Sequence, residues 1–165
     1  MNFKEQLPQN FHSSSRVWIY QSDRAFTTSE IGAIQNELNN FVETWAAHSA
    51  RVKGFASIFF NQFIVLIADE TQTAVSGCST DSSVRVIKNI EMQHQLSLFN
   101  RQTLAFIKSD QVHTIPLSRL QLSFTQNEID EETMYFNNTV LTLSELETNW
   151  LIPVKRSWLM GKISG

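Results

Sequence analysis

The sequence predicts an α+β fold, a ferredoxin-like α/β plait of order β-α-β-β-α-β with extra C-terminal strands and a helix. Three observations carry that expectation. An apolar stripe at helical spacing runs from Ile31 to Trp45, two apolar runs at 55–60 and 63–68 stand two residues apart, and a second helical pattern precedes a second hairpin pattern.

The elements follow in order. Arg16-Val17-Trp18-Ile19-Tyr20 is rich in β-branched and aromatic residues and reads as the first strand. Thr27-Thr28-Ser29-Glu30 fits a capping box, with Phe26 and Ile31 flanking it as a hydrophobic staple. Ile31, Ile34, Leu38, Phe41, Val42 and Trp45 then recur at steps of three and four, which predicts an amphipathic helix ending near His48. Gly54 separates it from Phe55-Ala56-Ser57-Ile58-Phe59-Phe60 and Phe63-Ile64-Val65-Leu66-Ile67-Ala68, a hairpin joined by Asn61-Gln62. The second run does not alternate, so it is expected to be a central strand covered on both faces. After a polar loop at 69–79, Thr80-Asp81-Ser82-Ser83 offers helix caps before a helix over about 82–96. Leu104-Ala105-Phe106-Ile107-Lys108 and 112–115, joined at Ser109-Asp110 and stopped by Pro116, form another hairpin. The polar segment 126–138, with Glu128, Asp130, Glu131 and Glu132, reads as a solvated loop. A short strand is expected at 139–142, and Ser144-Glu145-Leu146-Glu147 begins a helix that Pro153 ends.

With 165 residues, 42% of them apolar and 18% charged, the chain has the balance of one globular domain, and no linker divides it. At that length a fold buries roughly 70% of the surface its unfolded chain exposes, enough to dispense with a staple of disulfides or metal. Thirteen Lys and Arg against sixteen Asp and Glu leave a net charge of −3, which gives no global case for nucleic acid or an anionic membrane. The lone Cys78 excludes an internal disulfide framework and favours a reducing, cytoplasmic setting. Residues 1–10 are polar with no apolar leader core, and the apolar run 63–68 is far short of a membrane span of about 20 residues.

Several chemistries lack their residues. No Walker loop, G-x-G-x-x-G, H-E-x-x-H, C-x-x-C or G-x-S-x-G is present. His12, His48, His94 and His113 are too far apart in sequence for a helical metal pair, so no metal and no cofactor is expected.

One run is suggestive. Ser76-Gly77-Cys78-Ser79-Thr80-Asp81-Ser82-Ser83 lies between an apolar strand and a helix, where free amides and the helix dipole favour an anion. Ser79, Asp81, Ser82 and Ser83 are the candidate ligand-binding residues there. Arg24, which follows the first strand, would assist if the plait brings that end of the sheet to the same place. The same field would activate Cys78 as a nucleophile with His48 or His94 as base. Against these stands a plainer alternative, in which the hydroxyls cap the helix and Cys78 is a small buried hydrophobe. Trp158 beside Lys155 and Arg156 suits an interface patch, although packing is the commoner role for such residues.

The runs Ser15-Arg16-Val17-Trp18-Ile19-Tyr20-Gln21, Arg24-Ala25-Phe26-Thr27, Trp45-Ala46-Ala47-His48, Phe63-Ile64-Val65, Ser76-Gly77-Cys78-Ser79-Thr80-Asp81-Ser82-Ser83-Val84, Phe136-Asn137-Asn138-Thr139-Val140 and Ser157-Trp158 resemble an uncharacterised family of bacterial proteins of about this length. The resemblance spans nearly the whole chain. Members are often labelled "ABC transporter ATPase", a label this chain does not support: it has no Walker loop and is too short for a nucleotide-binding domain. In that family a His often follows the Ser-Trp pair, where this chain has Leu159, so the resemblance assigns no catalytic role at that position.

The expectation is a cytoplasmic domain that binds a small anionic ligand or a protein partner, without nucleic acid, membrane or catalysis of its own. Two alternatives stand beside it: a thiol enzyme or redox sensor using Cys78, and a homo-oligomer that covers an open apolar sheet face.

Overall fold

Two antiparallel sheets stacked face to face hold the apolar runs of the chain. The computed structural model describes residues 2–163; the first residue of the polar lead and the last two of the tail lie outside the described residues. In chain order come β1 (Arg16–Gln21), α1 (Thr28–Thr44), the short β2 (Ala46–Ala47) and β3 (Ala50–Arg51), β4 (Lys53–Phe59), β5 (Phe63–Asp69) and α2 (Gly77–His94). There follow β6 (Thr103–Lys108), β7 (Gln111–Pro116), α3 (Leu120–Thr125), β8 (Met134–Phe136), α4 (Leu143–Asn149), β9 (Leu151–Pro153) and α5 (Leu159–Ile163).

The fold is α+β. The first sheet has the order β1-β5-β4, and every residue of β5 is buried. Side chains alternate across a strand, and both faces of β5 are covered. Ile64 and Leu66 pack with Ile34 and Leu38 of α1 and Ile87 and Ile90 of α2. Phe63, Val65 and Ile67 pack the other way, against Ala105, Phe136 and Trp150. The Trp150 ring meets Phe3 edge-on at 5.0 Å and Phe63 at 5.5 Å, an arrangement that suits the quadrupoles of aromatic rings.

The second sheet has the order β7-β6-β8-β9. Its far face, with Leu104, Phe106 and Tyr135, is covered by Leu120 of α3 and Leu159 of α5. The layers therefore run helices, sheet, sheet, helices. The sheet face expected to lie open is covered from within the chain.

The strand order does not confirm a four-stranded plait. In a plait the strand after the second helix pairs beside β1; here β6 pairs with β7 and β8 in the other sheet. Other boundaries also move. Helix α1 stops at Thr44, because residues 46–51 form a small hairpin turning through His48 and Ser49 at φ 49° and 68°. Helix α2 starts at Gly77 with Ser76 as its cap, so residues expected in a loop are helical. The turn between β4 and β5 is centred on Phe60 and Asn61, both at positive φ. The polar stretch 126–138 contains β8, a strand too short to show a period, and 139–142 contributes only the bridge Arg16–Thr142. Thr142, not Ser144, caps α4, with Glu145 reaching back, and Pro153 lies in β9 rather than ending the helix. Gly54 is required by packing: a Cβ there would stand 2.7 Å from the Trp45 ring.

Among the described residues no helix is long and apolar enough to cross a membrane.

Candidate functional site

The sequence-predicted residues fall at separate places around α2. Ser76 and Ser79 form a reciprocal cap: the Ser79 amide donates to Ser76 Oγ at 3.3 Å and the Ser76 amide to Ser79 Oγ at 2.7 Å. The hydroxyls of Ser79, Ser82 and Ser83 donate to the carbonyls of Ser76, Ser79 and Thr80 at 2.7–2.9 Å. These hydroxyls are thus turned to their own helix, as capping and back-bonding residues are, and Ser79 and Ser83 are fully buried. Asp81 is exposed and adds a negative charge to the turn that an anion would approach.

Arg24 is committed elsewhere. Its guanidinium grips Glu30 with two bonds of 2.7 and 2.9 Å and donates to the carbonyl of His94 at 3.1 Å. That carbonyl closes an 18-residue helix, about 27 Å from its start, so Arg24 and the serines stand at opposite ends of α2. The Arg24 guanidinium also holds the Glu30 carboxyl down at about 2, with the Thr27 amide adding to the effect.

Cys78 is exposed rather than buried. His94 is at the far end of the same helix, and His48 sits on the β2–β3 turn. Among the described residues no hydrogen bond joins either imidazole to the thiol, and no group of His, Cys, Asp or Glu is placed to hold a metal.

The chain instead builds a cleft where β6 leaves the side of β1. It has a volume of about 150 Å³ and is walled by residues from β1, the 98–103 segment, β8 and the approach to α5. Ile19, Tyr20 and Gln21 all line it. Ile19 packs with the inter-sheet core and Tyr20 with the helix-side core. Successive side chains point to opposite faces of a sheet, so a cleft that touches both runs over the edge of β1.

A chain of hydrogen bonds forms the polar part of the wall. Trp150 Nε1 donates to Asn138 Oδ1 at 3.0 Å, Asn138 Nδ2 to Gln21 Oε1 at 2.9 Å, and Gln21 Nε2 to the Thr103 carbonyl at 3.1 Å. The last of these ties β1 to the start of β6 by a side chain where a plait would have a strand ladder. The aromatic part comes from Tyr20 with Phe99 edge-on at 5.4 Å, and from Tyr135 with Trp158 at 6.5 Å. Phe99 and Trp158 are 39% and 42% exposed, large values for such side chains beside a concavity.

The charge of the cleft is set by one group. Burial pushes the Tyr135 phenol up to about 12 and also raises Tyr20, the latter opposed by the nearby Arg101 charge. Both phenols are neutral at pH 7. The lining contains Arg101 and no Asp, Glu or Lys. Among the described residues Arg101 makes no ion pair and no hydrogen bond. Phe99, Asn100 and Arg101 carry no sequence signal, because a short segment between a helix and a strand has the look of an ordinary loop, and nothing local in the runs around Tyr20-Gln21, Asn137-Asn138 and Ser157-Trp158 says that they meet.

Comparison with protein-family models, with curated proteins and with solved structures gave no match.

Proposed function

We propose that the protein is a binding domain without catalysis of its own, and that its ligand is a small anion with an apolar body held in the cleft beside β1. The observation that carries this is the pairing of aromatic walls with a single uncommitted cation, Arg101, in a lining that holds no carboxylate. Concave, mostly apolar sites with a few convergent polar groups are where ligands bind, and a guanidinium matches the geometry of a carboxylate or phosphate. We read the first sheet and its helices as a plait whose fourth-strand place was left open to make this cleft. A single unpaired cysteine supports the cytoplasm as its compartment.

The test is a titration of the ¹⁵N-labelled protein with 3-phenylpropanoate and with its neutral amide. Shifts confined to the cleft, with the acid bound at least about tenfold more tightly than the amide, support the reading. Shifts at Gly77 and Cys78 instead would move the site to the start of α2, and no saturable shift by an aromatic, aliphatic or phosphorylated acid would remove it.

A further inference from the structure

Which backbone groups face the cleft follows from the register of β1. Residues 16–21 pair with 68–63 of β5. The Val17 amide donates away from β5, to the Leu141 carbonyl at 2.9 Å, and the Ser15 carbonyl accepts from Leu143 on that same outer side. In an antiparallel pair hydrogen-bonded and non-bonded positions alternate, so residues 17, 19 and 21 present their amides and carbonyls outward. Beyond Val17 the neighbouring chain turns away: the Leu141 amide goes to Glu145 Oε2 at 2.7 Å. Among the described residues the Ile19 amide, the Ile19 carbonyl and the Gln21 amide have no partner, and Ile19 and Gln21 line the cleft. An outward N–H and C=O of one residue are the complement of one residue of an extended chain.

Resting on the cleft as the ligand site, we propose that its ligand is the C-terminal end of an extended peptide, whose last residues pair with Ile19 on the open edge of β1 and whose terminal carboxylate is taken by Arg101. Three features agree. The edge offers a donor and acceptor that a carboxylate alone does not use. Arg101 is the only charge in the lining, which suits a single terminal anion and disfavours an acidic run. Phe99 and Trp158 supply apolar walls for one side chain of the peptide, and past Ile19 the outer side of β1 is taken up by the Gln21 side chain bonded to Asn138 and Thr103 and by the Asp23 amide bonded to the Ser97 carbonyl, so the ligand enters as a chain end and not as a through-running strand. A cavity of about 150 Å³ holds one or two residues, not a long segment.

The experiment uses the full chain, ¹⁵N-labelled, with a position-scanning set of N-acetylated tripeptides in two forms, free acid and C-terminal amide, and 3-phenylpropanoate as the small-acid control. The expected result is saturable binding of a subset of the free acids, shifts and slowed exchange at the Ile19 and Gln21 amides, and at least about tenfold loss on amidation or on Arg101→Gln. Arg101 is exposed, so R101Q is expected to fold; an unchanged spectrum away from the cleft checks this. Equal binding of acids and amides, or failure of the whole peptide set, overturns the proposal. Free-acid peptides that bind no more tightly than 3-phenylpropanoate and leave the Ile19 amide unmoved overturn it too, while leaving the small-anion reading in place; silence from every probe overturns both.

Discussion

Asn138 stands between Trp150 and Gln21, accepting from the indole at 3.0 Å and donating to the amide oxygen at 2.9 Å. It joins a fully buried ring of the inter-sheet core to the wall of the cleft. Trp150 is fully buried and Gln21 nearly so, and a buried polar group left without a partner costs more than a hydrogen bond contributes. Asn138→Ala orphans both neighbours at once and is expected to lower stability by about 2–4 kcal/mol, read by urea denaturation. Asn138→Asp keeps an acceptor for Trp150 but sets a carboxylate against Gln21 Oε1, unless the Gln21 amide flips and breaks its bond to Thr103. It should therefore lose stability as well, and regain part of it as pH falls and the new carboxyl protonates into a donor.

Arg24→Ala separates the two candidate anion sites. The ion pair with Glu30 is bidentate but sits where Arg24 is 42% exposed, so solvent screening leaves it little weight in stability. The clearer readout is Glu30 itself. Its carboxyl, held at about 2 by Arg24, should return toward 4.5 in the variant, measured by NMR titration of the side-chain carbon. A depressed carboxyl stabilises the fold above its unfolded value and loses that contribution as pH falls through the folded one, so the wild type outlasts R24A most between about pH 4.5 and 7 and the gap closes toward pH 2. Affinity for an acid in the cleft should not change, since Arg24 lies outside its lining; a loss of affinity would return the site to the ends of α2.

The parts of this fold legible in the sequence are those with a long period or a strong stop signal. The stripe Ile34-Leu38 and the cap Thr27-Glu30 specify α1, and the unalternating run 63–68 specifies a strand covered on both faces; each is local, and each is present. What was not legible is pairing at a distance. Met134-Tyr135-Phe136 has three residues, too few for a period, and becomes a strand only because β6 and β9 flank it. The departure of β6 from β1 is decided by the second sheet as a whole. The cleft inherits this, because Gln21, Arg101, Asn138 and Trp158 come from four distant stretches. Ser79, Ser82 and Ser83 were legible as hydroxyls near a helix start, and sequence could not say that the helix begins at Gly77, about five residues earlier, and consumes them.

Tyr135 gives an alkaline limit to stability. Its phenol is buried in the second sheet and pushed up to about 12, whereas an unfolded tyrosine ionises near 10. A raised folded value favours the folded state fully below the unfolded one, and that contribution is lost as pH rises from about 10 to 12. Urea midpoints are expected to hold level from pH 7 to 9 and to fall steeply above 10. In Tyr135→Phe, which keeps the ring against Phe106, the fall should be shallower, though Tyr20, also raised by burial, leaves part of it in place. An identical decline in both proteins would mean that the phenol is not the group responsible.

Cys78 decides whether thiol chemistry remains in play. The side chain is exposed at the second residue of α2, and helix position alone favours reactivity of a thiol. A nucleophile also needs a base within hydrogen-bond reach, and neither His48 nor His94 bonds to it. Native protein should therefore react with a small thiol reagent without prior unfolding, at a rate that His48→Ala leaves unchanged. Cys78→Ser replaces an exposed atom and should alter stability by no more than about 0.5 kcal/mol. Modification at Cys78 should leave binding in the cleft intact, because the lining of the cleft contains no residue of α2. If His48→Ala slowed the reaction several-fold, the β2–β3 turn would have to approach the thiol in solution, and a cysteine–histidine pair would become the better account of what this chain does.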